Sequence, residues 1–138
     1  MEINTPAIVA EIEDCFARYE AALGQYDPDT LDGFFWNDPR VIRYGEGECL
    51  YGHEAIATFR RTVITLPQRS LRHTTIMTFG SDYATANTEF VHDGETCLGR
   101  QTQTWVRLDE GWQITAAHVS FLAEDTALRV SVAKFPPS

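Results

Sequence analysis

The sequence of 138 residues lacks the motifs of the commonest metal and nucleotide chemistry. It contains no HExxH pair and no cluster of His, Cys and Asp, so we expect no metal. Neither a GxGxxG turn nor a P-loop is present, so we expect no nucleotide cofactor. A GxSxG elbow is missing, and the three cysteines have no evident activating partner. Any chemistry therefore has to use Tyr, Arg, His and Ser without a cofactor.

Positive charge is also scarce. The chain has 11 Lys and Arg against 20 Asp and Glu, a net charge of −9. Nucleic acid and anionic membranes need a basic face on their partner, so we expect neither as a partner. No apolar run approaches the length of a membrane span. A small anionic substrate is compatible with this charge, because a few arginines in a cleft outweigh distant surface acids at short range.

Cysteine usage and the first residues bear on the compartment. Cys15, Cys49 and Cys97 are odd in number and far apart, which is not the pattern of a disulfide framework. The first residues do not combine a basic segment with an apolar core, as a secretory signal would. We therefore predict a cytoplasmic protein.

The first half of the chain has helical periodicity. Residues 5–24 are predicted to form a helix, because apolar side chains recur at steps of four and three. Its inward stripe consists of Ile8, Ile12, Cys15, Tyr19 and Ala22. A short second helix follows, capped by Asp27, and residues 41–51 read as a hairpin. A third helix begins at residues 52–54 and is predicted to end at Pro67.

The second half alternates in twos. Four strands are predicted, at 70–79, 83–93, 96–108 and 111–122, separated by Gly- and Asp-rich turns. Helices followed by an antiparallel meander predict an α+β fold, a curved sheet wrapped around three N-terminal helices. We expect one domain over 5–122 and a C-terminal extension over 123–138. Such a cone has an open mouth, where ligand pockets are favoured.

Arg43 is the residue that first suggests a site. It lies inside the first predicted strand of the hairpin, between Ile42 and Tyr44. A guanidinium in a strand interior is costly unless an anion meets it or it reaches water. Arg43 is therefore a candidate clamp for an anionic ligand.

Strand parity gives a first division of the sheet into two faces. In 111–122 we expect the face with His118 and Ser120 to point inward. The other parity leaves an apolar outer face that suggests pairing between sheets of two copies. That expected outer face comprises Trp105, Val119 and Phe121. We therefore expect a homodimer, with a higher oligomer left open.

Each polar candidate also has a purely structural interpretation. Lone histidines such as His73 and His92 are more often hydrogen-bonded core residues than catalysts. Arg100 could reach over the rim to a surface carboxylate, and Tyr19 could be a core tyrosine. Against this, arginines in one cavity without internal acids would suit an anionic ligand.

The element order resembles the nuclear transport factor 2-like superfamily, also described as SnoaL-like or cystatin-like. A narrower resemblance, to the AtzH-like family, rests on Phe35-Trp36, Val41-Ile42-Arg43-Tyr44-Gly45, Glu48, Leu50-Tyr51-Gly52, Ile56 and Phe59-Arg60, and continues in Gly99-Arg100-Gln101 and Gln103-Thr104-Trp105. The resemblance implies that a tyrosine of the first helix and an arginine of the first strand are catalytic. The matching positions are Tyr19 and Arg43.

The resemblance also implies an activity. It points to a cofactor-free decarboxylating amidohydrolase that converts 1,3-dicarboxyurea to allophanate in nitrogen catabolism. Arg43 would grip a carboxylate, and Tyr19 would act as the acid or base. We also expect five residues to bind the substrate: Trp36, Tyr44, Arg100, His118 and Ser120.

Two other functions remain open. The fold also hosts non-catalytic binders and assembly modules, and the sequence shows no strong general base. An isomerase or cyclase for a larger apolar substrate would need an ionised carboxylate deep in the cone, for which the sequence offers no clear candidate.

Overall fold

The computed structural model describes residues 1–132. Three helices precede the long strands: α1 (Pro6–Gln25), α2 (Pro28–Phe34) and α3 (His53–Arg60). Between α2 and α3 lies a hairpin of β1 (Ile42–Tyr44) and β2 (Cys49–Tyr51), and four long strands follow: β3 (Arg69–Phe79), β4 (Tyr83–His92), β5 (Gly99–Leu108) and β6 (Gly111–Phe121). The predicted α+β architecture is confirmed.

The six strands form one sheet in the order β2-β1-β6-β5-β4-β3. The four long strands make an antiparallel meander, as the turn pattern predicts. The hairpin joins its edge through a parallel pairing of β1 with β6, which aligns Arg43 with Ala117. The sheet is therefore mostly, not wholly, antiparallel, and the strand that carries Arg43 lies beside the last strand of the chain.

The helices end where local sequence chemistry requires. Asp27 caps α2, and its carboxylate accepts hydrogen bonds from the backbone and hydroxyl groups of Thr30. The prediction that α3 runs to Pro67 is wrong, because the helix ends at Arg60 and irregular backbone follows. Residues 123–132 of the tail contain no helix or strand, and 133–138 of the predicted extension lie outside the described residues. No helix among residues 1–132 has the length and apolarity to cross a membrane.

The core lies between the helices and one face of the sheet. The predicted stripe of α1 is confirmed for Ile12, Cys15, Tyr19 and Ala22, which are all buried, whereas Ile8 is half-buried. From the sheet side, Trp105 is 0% exposed and packs edge-on against Phe34 of α2. Trp105 is therefore a core residue, and its predicted place on an outer face is wrong.

A bulge in β6 explains that error. The pairing passes from Thr104↔Ala116 to Trp105↔Ile114, so one extra residue is inserted at Thr115. An inserted residue reverses the side-chain alternation beyond it. Ile114 lies in the core on one side of the bulge, and Ala117 is the buried residue on the other. The β6 residues after Thr115 therefore point to the face opposite to the one that strict alternation predicts.

Candidate functional site

A cavity of about 340 Å³ opens between the helices and the concave face of the sheet. α1 and the segment after it contribute Tyr19, Glu20, Leu23, Gly24 and Tyr26; β1 and its turn contribute Arg43, Glu46 and Glu48; α3 and the following loop contribute Ile56, Phe59, Arg60, Val63, Leu66, Pro67 and Gln68; the long strands contribute Arg69, Phe90, His92, Gln101, Val119 and Phe121. The wall therefore combines aromatic and aliphatic side chains with charged groups of both signs.

Tyr19 and Arg43 both line this cavity. Tyr19 is 6% exposed, and its ring packs against Phe34 and Phe35 with centroid distances of 5.8 and 6.4 Å. The Arg43 guanidinium lies 5.9 Å from the centroid of the Phe59 ring. One helix and one strand, separated in sequence by the whole of α2, thus bring a phenol and a guanidinium to the same cavity.

Arg43 has an internal carboxylate partner. Its Nη1 donates to Glu48 Oε1 at 2.9 Å, and the Gly47 N–H donates to Glu48 Oε2 at 3.0 Å. A Cβ at Gly45 would overlap the Glu48 carboxylate, so glycine there leaves the space that this carboxylate fills. The expectation of a cavity without acids is wrong, since Glu20, Glu46 and Glu48 all line it.

Arg60 is a cavity residue that the sequence reasoning missed. It is 7% exposed, its Nε donates to Asp32 Oδ1 at 3.0 Å, and its guanidinium lies 5.3 Å from the Phe35 ring centroid. Its Nη2 is buried without a hydrogen-bond partner among residues 1–132. The available signal was spacing, because Arg60 lies four residues after the inward-facing Ile56.

Tyr26 connects the first helix to this arginine. Its hydroxyl donates to the backbone carbonyl of Arg60. Burial raises the pKa of Tyr26 above its ordinary value of 10.0, although the charges of Arg60 and Arg43 act in the opposite direction. Tyr26 is thus a neutral donor at physiological pH and holds the end of α3 against the cavity.

A second charged group lies where α1 meets β3. Arg69 is paired with the Glu20 carboxylate, and its Nη2 also donates to Gln101 Oε1 at 3.1 Å. Its guanidinium lies 4.5 Å from the Phe90 ring centroid. Sequence reasoning missed Arg69 and Gln101, although Gln101 shares its strand face with Trp105 and would follow from placing that tryptophan inward.

Five predicted substrate-binding residues are not among those that line the cavity: Trp36, Tyr44, Arg100, His118 and Ser120. The expectation that the last three face inward is wrong. The β6 bulge turns His118 and Ser120 to the outer face, and Arg100 shares that face because it pairs with Ser120. Tyr44 and His118 are aligned on β1 and β6, with ring centroids 5.6 Å apart, and Arg100 donates to Ser120 at 3.2 Å. Tyr44, His118, Arg100 and Ser120 therefore lie on the other face of the sheet, whereas Trp36, which follows α2, packs against the core and under the Arg40 guanidinium. His92, by contrast, shares the inner face with Phe90 and lines the cavity.

Metal ligands are not gathered at this site. Within residues 1–132, no group of three or more His, Cys, Asp or Glu side chains is arranged to hold an ion. The ionic groups of the cavity are instead guanidinium–carboxylate pairs, and the donors they leave over favour a ligand rich in acceptor oxygens.

Comparison with known proteins identifies the family to which this chain belongs. The sequence profile of the AtzH-like family matches residues 1–125. The chain belongs to the AtzH-like family. No curated protein sequence matches it.

Solved structures agree with that assignment. A DUF3225-family protein of unknown function from Pectobacterium atrosepticum is 47% identical, with a TM-score of 0.85 over 88% of this chain and 95% of that one. A cystatin-like fold protein from Burkholderia xenovorans is 45% identical, with a TM-score of 0.86 over 89% and 98%. A nuclear transport factor 2-like protein from Pseudomonas putida shares 17% identity and a TM-score of 0.74 over 96% and 99%. This AtzH-like chain therefore has the nuclear transport factor 2-like fold.

Proposed function

We propose that this AtzH-like chain is a cofactor-free enzyme that removes a carboxylate from a small carboxylated urea or amide of the 1,3-dicarboxyurea type. The observation that carries the proposal is the cavity in which Tyr19, Arg43 and the buried Arg60 meet, with Arg60 Nη2 unpartnered among residues 1–132. A buried guanidinium nitrogen without an acceptor is costly, and a carboxylate oxygen is its natural partner.

Aromatic contacts bring the polar groups into one neighbourhood. The Phe35 ring is contacted by the Tyr19 ring from α1 and by the Arg60 guanidinium from α3. Phe59, the residue before Arg60, lies under the Arg43 guanidinium. Tyr19, Arg43 and Arg60 are therefore linked through Phe35 and Phe59, and all three line the cavity, which supports a ligand bound among them.

The proposed step breaks the C–N bond of a terminal N-carboxylate. Carbon dioxide leaves, and the bonding electron pair stays on the nitrogen, which gains a proton. In the proposed step Tyr19 donates this proton and is then reprotonated by solvent. Arg43 and Arg60 hold the carboxylates and fix the reacting group against Tyr19. The products of 1,3-dicarboxyurea would be carbon dioxide and allophanate.

Turnover of 1,3-dicarboxyurea by the purified protein tests the proposal, with carbon dioxide release and allophanate formation as the two readouts. Losing a positioned general acid costs 10²- to 10⁴-fold in typical enzymes, so Tyr19→Phe should lower the rate by at least about 100-fold. Arg43→Ala should lower it comparably. Tyr83→Phe is the matched control, because Tyr83 is 43% exposed and does not line the cavity.

The alternative is a non-catalytic binder of the same fold. It predicts that a small dicarboxylate raises the melting temperature while no carboxylated urea or amide is consumed. Wild-type rates in both the Tyr19→Phe and Arg43→Ala variants would make the proposed mechanism wrong.

A further inference from the structure

Glu20, Arg69 and Gln101 form a chain of contacts on one wall of the cavity. Arg69 lies at the start of β3, where its Nε donates to Glu20 Oε2 at 3.2 Å and its Nη2 contacts the other carboxylate oxygen. The same Nη2 donates to Gln101 Oε1 at 3.1 Å. All three residues line the cavity.

This chain fixes which end of the Gln101 amide is free. A guanidinium has only donors, so the amide atom facing Arg69 has to be the oxygen. The nitrogen is then the unused end. Gln101 is 4% exposed, and its Nε2 has no hydrogen-bond partner among residues 1–132. Buried polar groups are nearly always satisfied, so this amide nitrogen needs an acceptor, and the cavity is the adjoining space from which one can come.

The surroundings favour an uncharged acceptor. Arg69 is already matched by Glu20, and both side chains are mostly buried, so a second anion here would meet a neutralised guanidinium and a nearby carboxylate. The other neighbours are aromatic, with the Phe90 and Phe121 ring centroids 5.4 Å apart. A neutral carbonyl oxygen accepts from an amide N–H without the cost of burying another charge.

We propose that Gln101 Nε2 binds the uncharged carbonyl oxygen of the substrate, while a carboxylate of the same molecule lies at Arg43 and Arg60. Arg69, held by Glu20, acts as a positioning residue that presents the amide nitrogen. Because Nε2 is itself buried, a small shift of the Gln101 side chain completes the contact. The ligand class is thus a small acid that carries a neutral amide or urea carbonyl. This inference rests on the proposed function for the placement of the carboxylate.

Three acids with the same four-carbon skeleton test the inference by titration calorimetry. Succinamate carries a carboxylate and a neutral amide, succinate carries two carboxylates, and butanoate carries one carboxylate and a methyl group. One neutral hydrogen bond corresponds to about a fivefold change in affinity, so the wild-type protein should bind succinamate at least about fivefold more tightly than butanoate. Succinate, whose carboxylates can both be held by Arg43 and Arg60, reports on the anion site with no neutral carbonyl present.

Two variants at one position separate donation from support of Arg69. Gln101→Leu removes both amide groups, whereas Gln101→Glu keeps an acceptor for Arg69 and loses the donor. The ratio of succinamate to butanoate affinity should fall to about one in both. Gln103→Leu is the matched control, because Gln103 is buried on the same face of β5, accepts from Trp105 at 3.1 Å and does not line the cavity. That variant should keep the wild-type ratio whatever stability it loses.

The outcomes distinguish this inference from the function beneath it. If the acids bind in a manner that depends on Arg60, but succinamate and butanoate bind equally, the role of Gln101 is wrong and the anion site stands. A preference that survives in Gln101→Glu would assign Gln101 to supporting Arg69 alone. If none of the three acids binds, both proposals are wrong.

Discussion

The two faces of the sheet differ in function: one lines the cavity and the other does not, although the same strands supply both. Neighbouring residues on one strand go to opposite faces, so Arg43 lines the cavity while Tyr44 does not, and Gln101 lines it while Arg100 does not. On β6 the bulge at Thr115 makes Val119 and Phe121 the lining residues. The site is therefore defined by which parity each strand adopts, and a single inserted residue is enough to exchange candidates.

Two arginines show how the energy of a hydrogen bond depends on whether the side chain lies in the cavity or in solvent. Arg60 is paired and stacked in a buried setting, whereas the hydrogen bond of Arg100 to Ser120 lies in solvent. Charged hydrogen bonds away from water contribute about 1.5–3 kcal/mol, while exposed ion pairs contribute roughly 0–1 kcal/mol. A guanidinium on the inner face should therefore control ligand binding, and one on the outer face should not.

The largest expected effect contrasts these two arginines. Malonate, a small dicarboxylate, serves as the probe. Arg60→Gln should weaken its binding by about 10- to 100-fold, because a desolvated charged donor is lost. Arg100→Gln should change the dissociation constant less than about twofold. Titration calorimetry measures both, and equal weakening by the two variants would contradict the assignment of the cavity to the inner face.

Arg61→Gln controls for the structural part of that change. Arg61 Nη1 binds the other Asp32 oxygen at 2.7 Å, so the variant loses a contact to the same carboxylate, yet Arg61 does not line the cavity. We expect it to lower stability slightly and to leave malonate affinity unchanged.

The next effect tests how tightly the inner face is packed. A Cβ at Gly99 would overlap the Phe90 ring. The Arg69 guanidinium also stacks on that ring, so the ring has contacts on more than one side. Overpacking of this kind costs about 1–3 kcal/mol, so Gly99→Ala should lower the free energy of unfolding by that amount. Gly47→Ala, where nothing lies within 4 Å of the added carbon, should be nearly neutral in chemical denaturation. A neutral Gly99→Ala would mean that Phe90 can move aside freely.

Much of the fold follows from sequence periodicity. The stripe containing Ile12, Cys15 and Tyr19 predicts both the helix and its buried face, and the Gly- and Asp-rich turns predict the strand boundaries within a few residues. Long amphipathic elements have many residues that repeat the same signal, so one exception does not change the result.

The site was only partly predictable, because it depends on single residues and on contacts between distant parts of the chain. Arg43 is evident because charge is rare inside a strand, but the face of β6 depends on one bulge that no local pattern marks. The pairing of Arg69 with Glu20 joins residues 49 positions apart, and only the assembled fold brings them together. Arg60, four residues from Ile56, was accessible to the same helical spacing that identified Tyr19.

A smaller effect concerns the carboxylate that occupies Arg43. Glu48 competes with any ligand carboxylate for this guanidinium, so Glu48→Gln should tighten malonate binding by about two- to fivefold. Glu46→Gln makes the same change of charge in the same turn, but Glu46 has no salt bridge among residues 1–132. Equal tightening by both variants in calorimetry would assign the effect to the general field of the cavity and not to competition at Arg43.

The smallest expected effect compares a tyrosine from each side of the sheet. Tyr26→Phe removes the hydrogen bond to the Arg60 carbonyl and should cost about 1 kcal/mol of unfolding free energy at pH 7. Tyr51, 61% exposed beside Tyr44, should matter less when changed to Phe. Both phenols have a raised pKa, Tyr26 chiefly through burial and Tyr51 chiefly through its hydrogen bond with Tyr44.

The pH dependence of Tyr26 follows from the direction of its shift. Since its folded-state pKa lies above the ordinary 10.0, the unfolded chain loses this proton first, and the stabilisation is lost as the pH rises from about 10 through the folded-state value. The stability difference between the wild type and Tyr26→Phe should therefore narrow above pH 10, as urea titrations at pH 7, 9 and 10.5 can measure. A difference that stays constant across this range would mean that the Tyr26 hydroxyl contributes only packing, and the hold of α1 on Arg60 would then need another explanation.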